Sequence, residues 1–198
     1  MPGHASHPRL ILASRSPRRR ELLAASGYQF AVIPPSDAAE GTQGLPGPND
    51  EGPAEMVARL ACSKAADVAR RIDRGLVLGC DTVVECGGRI LGKPAGRQDA
   101  RQMLEALRGR EHRVLSGLCL WAVPGGHPQV RVAVTTLRMD PLSSAQIDEY
   151  LSGGQWQGKA GAFGYQDRLG WVHVIEGSES NVVGLPLELL SEMLRGSS

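Results

Sequence analysis

Aromatic residues are scarce in this chain. Three Trp, three Tyr and two Phe make up 4% of its 198 residues. Binders of single-stranded nucleic acid rely on exposed aromatic platforms, so that class is disfavoured. An excess of one charge is also lacking. Lys and Arg number 22 against 21 Asp and Glu, for a formal net charge of +1. General nucleic-acid binders are plainly basic, and no nucleic-acid partner is expected. An anion must therefore be held by a local cluster. Cysteine is limited to Cys62, Cys80, Cys86 and Cys119, with no Cys-x-x-Cys pair and no ligand-like partner for His112. These read as small buried hydrophobes in a reducing compartment, not as a disulfide or metal framework. Long apolar runs are missing too. Leu10-Ile11-Leu12-Ala13 is far too short for a signal h-region or a membrane span, and nothing else approaches one. No membrane association is expected, and the cytoplasm is the default location.

What is present suits one domain. Hydrophobic residues are 41%, enough for a core, while 25 Gly and 13 Pro point to many turns. Residues 1–8 are polar and read as a flexible tail. A short buried strand is expected at Arg9–Ala13. Ser16-Pro17 then starts a helix that Gly27 ends. A second strand spans Gln29–Ile33, and residues 36–52 read as one long loop. Pro53 opens a helix to about Arg71. Leu76–Cys86 is a strong strand, turned by Gly87-Gly88 into Arg89–Leu91. Ala100, Met103, Leu104 and Leu107 place an amphipathic helix over 97–108. Strands at Arg113–Val123 and Gln129–Met139 follow. Ser143-x-x-Gln146 forms a capping box for a helix to about Ser152. Residues 153–170 are Gly-rich, Trp171–Ile175 is a strand, and Pro186–Leu194 a closing helix. The mixture of hairpins and alternating helices predicts an α/β fold with a mixed sheet.

Three segments ask for an anion. Ser14-Arg15-Ser16-Pro17-Arg18-Arg19-Arg20 puts three arginines in the first turn of a helix. Cations there are unfavourable by about 0.3–1 kcal/mol each, because the helix N-terminus is itself positive. An anion docked on the free N–H groups and guanidinium forks explains the choice; a solvated basic patch is the alternative. Lys64 sits on an apolar line with Met56, Leu60 and Val68. It either snorkels to the helix edge or aims into a cleft. Asp81 interrupts an apolar strand, Leu76-Val77-Leu78 before it and Val83-Val84 after it. A carboxylate there is costly unless it is paired or opens on a cleft, where it can take a proton from water. Lys93 is placed to supply the balancing charge; a structural Asp capping backbone is the alternative. Gly153-x-x-x-x-Gly158-Lys159 imitates the start of a P-loop, but Ala160 stands where Ser or Thr is needed and the segment follows a helix.

Together these segments resemble the Maf family of nucleoside triphosphate pyrophosphatases. The motifs run in order from about residue 9 to 195 as Leu12-Ala13-Ser14-x-Ser16-Pro17-Arg18-Arg19, Arg59-Leu60-Ala61-x-x-Lys64-Ala65, Gly79-x-Asp81-Thr82-Val83 and Leu91-Gly92-Lys93-Pro94. Lys159-Ala160-Gly161-Ala162-Phe163-Gly164-x-Gln166 and Asn181-Val182-Val183-Gly184-Leu185-Pro186 complete the set. The resemblance implies a single domain over 9–195 with two α/β lobes around a deep cleft, related to the inosine triphosphate pyrophosphatases. It implies cleavage of a nucleoside triphosphate to the monophosphate and pyrophosphate with a divalent metal cation, Mg²⁺ or Mn²⁺. Asp81 falls on the family's proton acceptor. Arg18, Thr82 and Gln166 fall on the positions that separate its branches, and this set resembles the branch acting on dTTP and UTP. Glu40 is the position offered for the family's acidic, metal-binding residue, in a stretch, Ser36-Asp37-Ala38-Ala39-Glu40, that departs from the usual acidic cluster. Ser63 likewise replaces the acidic residue usual before Lys64. Ser14, Arg19, Lys64 and Lys93 are expected to hold phosphates, and a homodimer is implied by likeness alone. A non-catalytic nucleotide-binding regulator of cell division, and a pyrophosphatase for other nucleotides, are the alternative readings.

Overall fold

The computed structural model of the protein describes residues 9–40, 51–167 and 169–196. The expected tail over 1–8, and residues 41–50 of the loop expected over 36–52, lie outside the described residues. Along the chain run β1 (Leu10–Ala13), α1 (Pro17–Ala25), β2 (Phe30–Val32), α2 (Asp37–Glu40), α3 (Pro53–Ala69), β3 (Gly75–Cys86) and β4 (Arg89–Leu91). Then come α4 (Arg97–Leu107), β5 (Glu111–Val123), β6 (Gln129–Met139), α5 (Ser144–Ser152), β7 (Val172–Glu176), α6 (Glu179–Val183) and α7 (Leu187–Arg195). The strands form one mixed sheet ordered β2-β1-β3-β5-β6-β7, with β4 hairpinned onto β3. β1 pairs in parallel with β2 and β3, and the remaining pairs are antiparallel. Among the described residues no helix is long and apolar enough to cross a membrane.

Local signals explain most elements. Ser16 caps α1 by accepting from the Arg19 N–H, with Pro17 at the first helical position. Ser143 and Gln146 form the expected capping box on α5. Two short helices depart from expectation. α2 stands inside the stretch read as a loop, held because Ser36 O accepts from the Ala39 and Glu40 N–H groups. α6 precedes the closing helix and is capped by Ser178. Neither is long enough to carry a helical period.

Residue alternation along β3 and β5 gives the sheet two different faces. Gly79 and Gly117 lie directly under α3. A Cβ on Gly79 would land on the carbonyl oxygen of Ala61, and one on Gly117 on that of Val57. Bare backbone at these two points lets α3 settle onto the sheet, where Ala61, Ala65 and Val68 pack with Val77 and Cys119. The opposite face carries two separate covers. Around Leu78, Cys80, Leu118 and Leu120 it packs on Leu23 of α1 and Leu189, Leu190 and Met193 of α7. Further along, Val84 and Val114 pack with α4 and α5 through Leu104, Leu107, Ile147 and Leu151. These covers are the two lobes, and the sheet between them stays open.

Asp67 of α3 accepts hydrogen bonds from the backbone N–H of Ser36 at 2.9 Å and from its hydroxyl at 2.8 Å, and pairs with Arg71 at 2.7 Å. This ties the segment that carries α2 to the long helix.

Two outcomes are expected. Gly117→Ala lowers unfolding free energy by about 1–3 kcal/mol in urea denaturation, because α3 must lift. Gly92→Ala, which meets open space, changes stability by less than about 0.5 kcal/mol. The Ser36 backbone bond is the main cause holding the Asp67 carboxyl below its ordinary range, against a smaller opposing effect of burial. A depressed carboxylate contributes its stability above the ordinary Asp pKa of about 3.9 and loses it as pH falls through the lower folded value. Asp67→Ala is therefore less stable than the parent by about 1–2 kcal/mol near neutral pH. That gap closes in strongly acidic solution.

Candidate active site

Between the two covers lies a cavity of about 660 Å³. Its floor is the open stretch of sheet, with Thr82 and Val84 from β3 and Val114 and His112 from β5. Its two ends differ in chemistry. One end gathers Ser14, Arg18, Arg19, Lys64 and Lys93; the other is apolar, with Leu107, Val114, Leu137, Phe163, Val172 and Val182. Among the described residues six cationic side chains line it (Arg15, Arg18, Arg19, Lys64, Lys93 and Lys159) against the carboxylates Asp37 and Glu40. Three of the six are ion-paired: Arg15 to Asp37 at 2.6 Å, Lys159 to Asp167 at 2.6 Å, and Lys64 to Asp81 at 2.6 Å and Glu40 at 3.2 Å. An excess of positive charge remains, in a chain that is nearly neutral overall.

The arginines of the first helical turn divide their work. Arg20 is exposed, but Arg18 and Arg19 turn inward. Arg19 is buried and donates from Nε to Gly184 O at 2.8 Å, from Nη2 to Thr82 Oγ1 at 3.0 Å and from Nη1 to Ser14 Oγ at 3.4 Å. Three of its five N–H groups thus pin β1's exit, β3 and the loop after α6 to one another. Arg18 donates to Gly158 O at 3.1 Å, across the cavity mouth. Burial, and then its neighbour Arg19, lower its pKa, though a guanidinium stays charged. Both sources of cost fall when an anion arrives.

Lys64 does not snorkel. It is fully buried and reaches Asp81 Oδ1 at 2.6 Å and Glu40 Oε2 at 3.2 Å. The cation expected to balance Asp81 was Lys93, but Lys64 takes that place. Lys93, at the cavity wall, has no hydrogen-bond or ion-pair partner among the described residues. Desolvation, then the nearby Lys64, holds its ammonium below the ordinary lysine range.

Asp81 is 1% exposed and is not among the residues that line the cavity. The strand's alternation is the reason. Asp81 points to the α3 face, as Gly79 does, while its neighbour Thr82 points to the cavity. Lys64 therefore stands between Asp81 and the open volume. The Thr82 hydroxyl is 2.8 Å from Ser116 Oγ and also accepts from Arg19. Gln166 is exposed on a single 3₁₀ turn, Tyr165–Asp167, at the cavity rim.

Several residues here were not singled out in the sequence. Asp167 receives Lys159 through both carboxylate oxygens at 2.6 Å and Tyr150 OH at 2.9 Å. Burial, then Asp167, pushes the Tyr150 phenol well up. A Cβ on Gly164 would meet Lys159 Nζ and Asp167 Oδ2, so a larger residue there would displace the ends of this ion pair. Asn181 donates to Val114 O at 3.1 Å and Thr135 Oγ1 at 2.9 Å, seating α6 on the sheet so that Gly184 meets Arg19. Its motif was visible, but its partners lie 46 and 67 residues away. Ser116 carried no signal beyond being polar in an apolar strand, and His112 fell before the expected strand at Arg113–Val123 and was read only as lacking a ligand-like partner.

Removing the cation from the Lys64–Asp81 pair exposes what it balances. Lys64→Met is expected to cost about 3–5 kcal/mol in chemical denaturation, because a buried carboxylate loses its ammonium. Adding Asp81→Asn to Lys64→Met recovers part of that loss, a coupling that a double-mutant cycle reads directly.

A family model described as Maf-like protein matches residues 9–197. A relative from Rhodopirellula baltica, called a dTTP/UTP pyrophosphatase, is 53% identical and covers 98% of this chain and 85% of its own. Another of the same name from Sphingopyxis alaskensis is 46% identical, covering 91% of this chain and 92% of its own. The solved structure of a HAM1 protein from Coxiella burnetii superimposes with a TM-score of 0.49 at 16% identity, covering 96% of this chain and 99% of that one. With a family model spanning nearly every residue and relatives at this identity along most of its length, the chain belongs to the Maf-like family.

Proposed function

We propose that the protein hydrolyses dTTP and UTP to the nucleoside monophosphate and pyrophosphate. The observation that carries this reading is the two-ended cavity. Excess cation at one end suits a triphosphate, and an apolar recess at the other suits a base. The dTTP/UTP pyrophosphatase name of the relatives supports the choice of base.

At the cationic end Ser14, Arg18, Arg19, Lys64 and Lys93 hold phosphate oxygens, with the guanidiniums already oriented by Gly184, Thr82 and Gly158. A triphosphate competes with Glu40 and Asp81 for the Lys64 ammonium. As Lys64 turns to phosphate, Asp81 opens to the cavity and takes a proton from water. That water forms a bond to the α-phosphorus, the bridging oxygen bond breaks, and pyrophosphate leaves. Arg18, Thr82 and Gln166 act as the specificity set: Gln166 presents both a donor and an acceptor at the rim, and Thr82 the hydroxyl set by Arg19.

A divalent metal, Mg²⁺ or Mn²⁺, fits this site. Glu40 and Asp81 converge on one positive charge, that of Lys64. Mg²⁺ is commonly held by one or two carboxylates together with substrate phosphates. The absence of a three-carboxylate or imidazole cluster among the described residues matches that pattern rather than an all-protein cage. Glu40 is the residue that would hold it together with substrate phosphates, and when bound it would offset charge on the phosphate oxygens.

Pyrophosphate release from a panel of nucleoside triphosphates with Mg²⁺ or Mn²⁺ tests the reading. Release is expected to be strongest with dTTP and UTP. Asp81→Asn lowers kcat by about 10²–10⁴-fold, the usual contribution of a general base. Full activity in that variant removes Asp81 from its role, and release from no nucleotide removes the reaction itself.

A further inference from the structure

His112 stands at the apolar end of the cavity, and nothing in the reaction outlined above uses it. It is 5% exposed and lies on β5 in register with Leu137 of β6. It shares the cavity-facing side of its strand with Val114 and Ser116. Ser116 touches Thr82, so His112 is four residues along β5 from the cationic end, about 13 Å at the rise of a strand. A nucleotide bridges such a separation between its phosphates and the far edge of its base.

The contacts of the imidazole favour one tautomer. Its Nδ1 lies 3.4 Å from the carbonyl oxygen of Arg110. A carbonyl only accepts, so Nδ1 carries the proton. Burial lowers the ring's pKa, which keeps it neutral and leaves Nε2 with a free lone pair. No described residue donates to that nitrogen. His112 is among the residues that line the cavity, and with Nδ1 turned to Arg110, Nε2 is the ring nitrogen left to meet a donor there. The ring is therefore a single acceptor in a wall of Leu107, Leu137 and Val172. Such an acceptor is costly to desolvate unless a donor meets it.

We propose that His112 is a specificity-determining residue, whose Nε2 accepts a hydrogen bond from the imide N3–H of uracil or thymine. This rests on the reading that the cavity takes a pyrimidine nucleoside triphosphate. Uracil and thymine offer a donor between two carbonyls. Cytosine offers a bare N3 at the same place, so two lone pairs face each other and the wall's acceptor goes unmet. His112 thus rejects cytosine from the apolar end, at a distance from the exposed Gln166 rim.

The test compares kcat/KM for UTP, CTP and N3-methyl-UTP in the parent, in His112→Phe, which keeps a flat ring without the acceptor, and in His112→Gln, which keeps an acceptor. In the parent, UTP is favoured over both analogues. His112→Phe is expected to lower kcat/KM for UTP by about 10–100-fold and, by removing the facing lone pair, to raise it for CTP, collapsing the UTP/CTP ratio. His112→Gln retains part of that ratio. An unchanged UTP/CTP ratio in His112→Phe overturns the assignment and leaves the pyrophosphatase reading standing. Should His112→Phe fail to fold, equal kcat/KM for UTP and N3-methyl-UTP in the parent overturns it, and a clear preference for UTP supports it. No hydrolysis of any nucleotide by the parent removes both readings together.

Discussion

The contact between Lys64 and Asp81 is the constraint on which the rest of the site depends. Both side chains are buried, and removing two charges from water costs several kcal/mol for each ion. Their attraction at 2.6 Å offsets that cost only while the geometry is held. The pair does not hold itself. Gly79 and Gly117 bring α3 against the sheet, and the small residues Ala61 and Ala65 keep it close. The same packing that forms the lower layer of the fold therefore positions the carboxylate and ammonium. Glu40 adds a second acceptor to Lys64, so one cation is shared by two carboxylates and is ready to be drawn away by a stronger anion.

Arg19 does for the upper layer what the glycines do for the lower. One guanidinium joins the end of β1 through Ser14, the middle of β3 through Thr82 and the loop after α6 through Gly184. Asn181 anchors that loop from the other side by bonding to β5 and β6. A planar fork with several fixed donors suits this role better than a lysine, whose ammonium is a single point charge. The cationic end of the cavity is thus rigid before any ligand arrives. Lys93, without such ties, is the adaptable member of the set.

The cavity itself follows from unequal coverage of one sheet. α3 covers one face along its length, while α1 with α7 and α4 with α5 cover the two ends of the other. The gap between these covers exposes Thr82 and Val84 and hides Asp81 behind the sheet plane. Polar groups collect at the gap's near end because β1 ends and α1 begins there. The far end inherits its apolar character from the α4–α5 core. A substrate that is charged at one end and flat and weakly polar at the other matches this gradient.

The sequence alone was enough to establish the elements with a clear period or punctuation: the long helix after Pro53, the strand through Asp81, the Gly87-Gly88 hairpin and the capping box at Ser143. Its ordered motifs also picked out Ser14, Arg18, Arg19, Lys64, Thr82, Lys93 and Gln166, and the resemblance offered Glu40 outside those motifs; all of these line one cavity. It did not reveal α2 or α6, since four or five residues span little more than one helical turn and leave no periodic trace. Nor did it show that Lys64 rather than Lys93 faces Asp81, or that Lys159, Asp167 and Tyr150 form one network. A repeat of two or 3.6 residues tells which side of an element a residue occupies. It does not tell what lies across from that side. Whether Asp81 and Thr82, neighbours on one strand, meet a lysine or a cavity was decided only when α3 closed one face and left the other partly open.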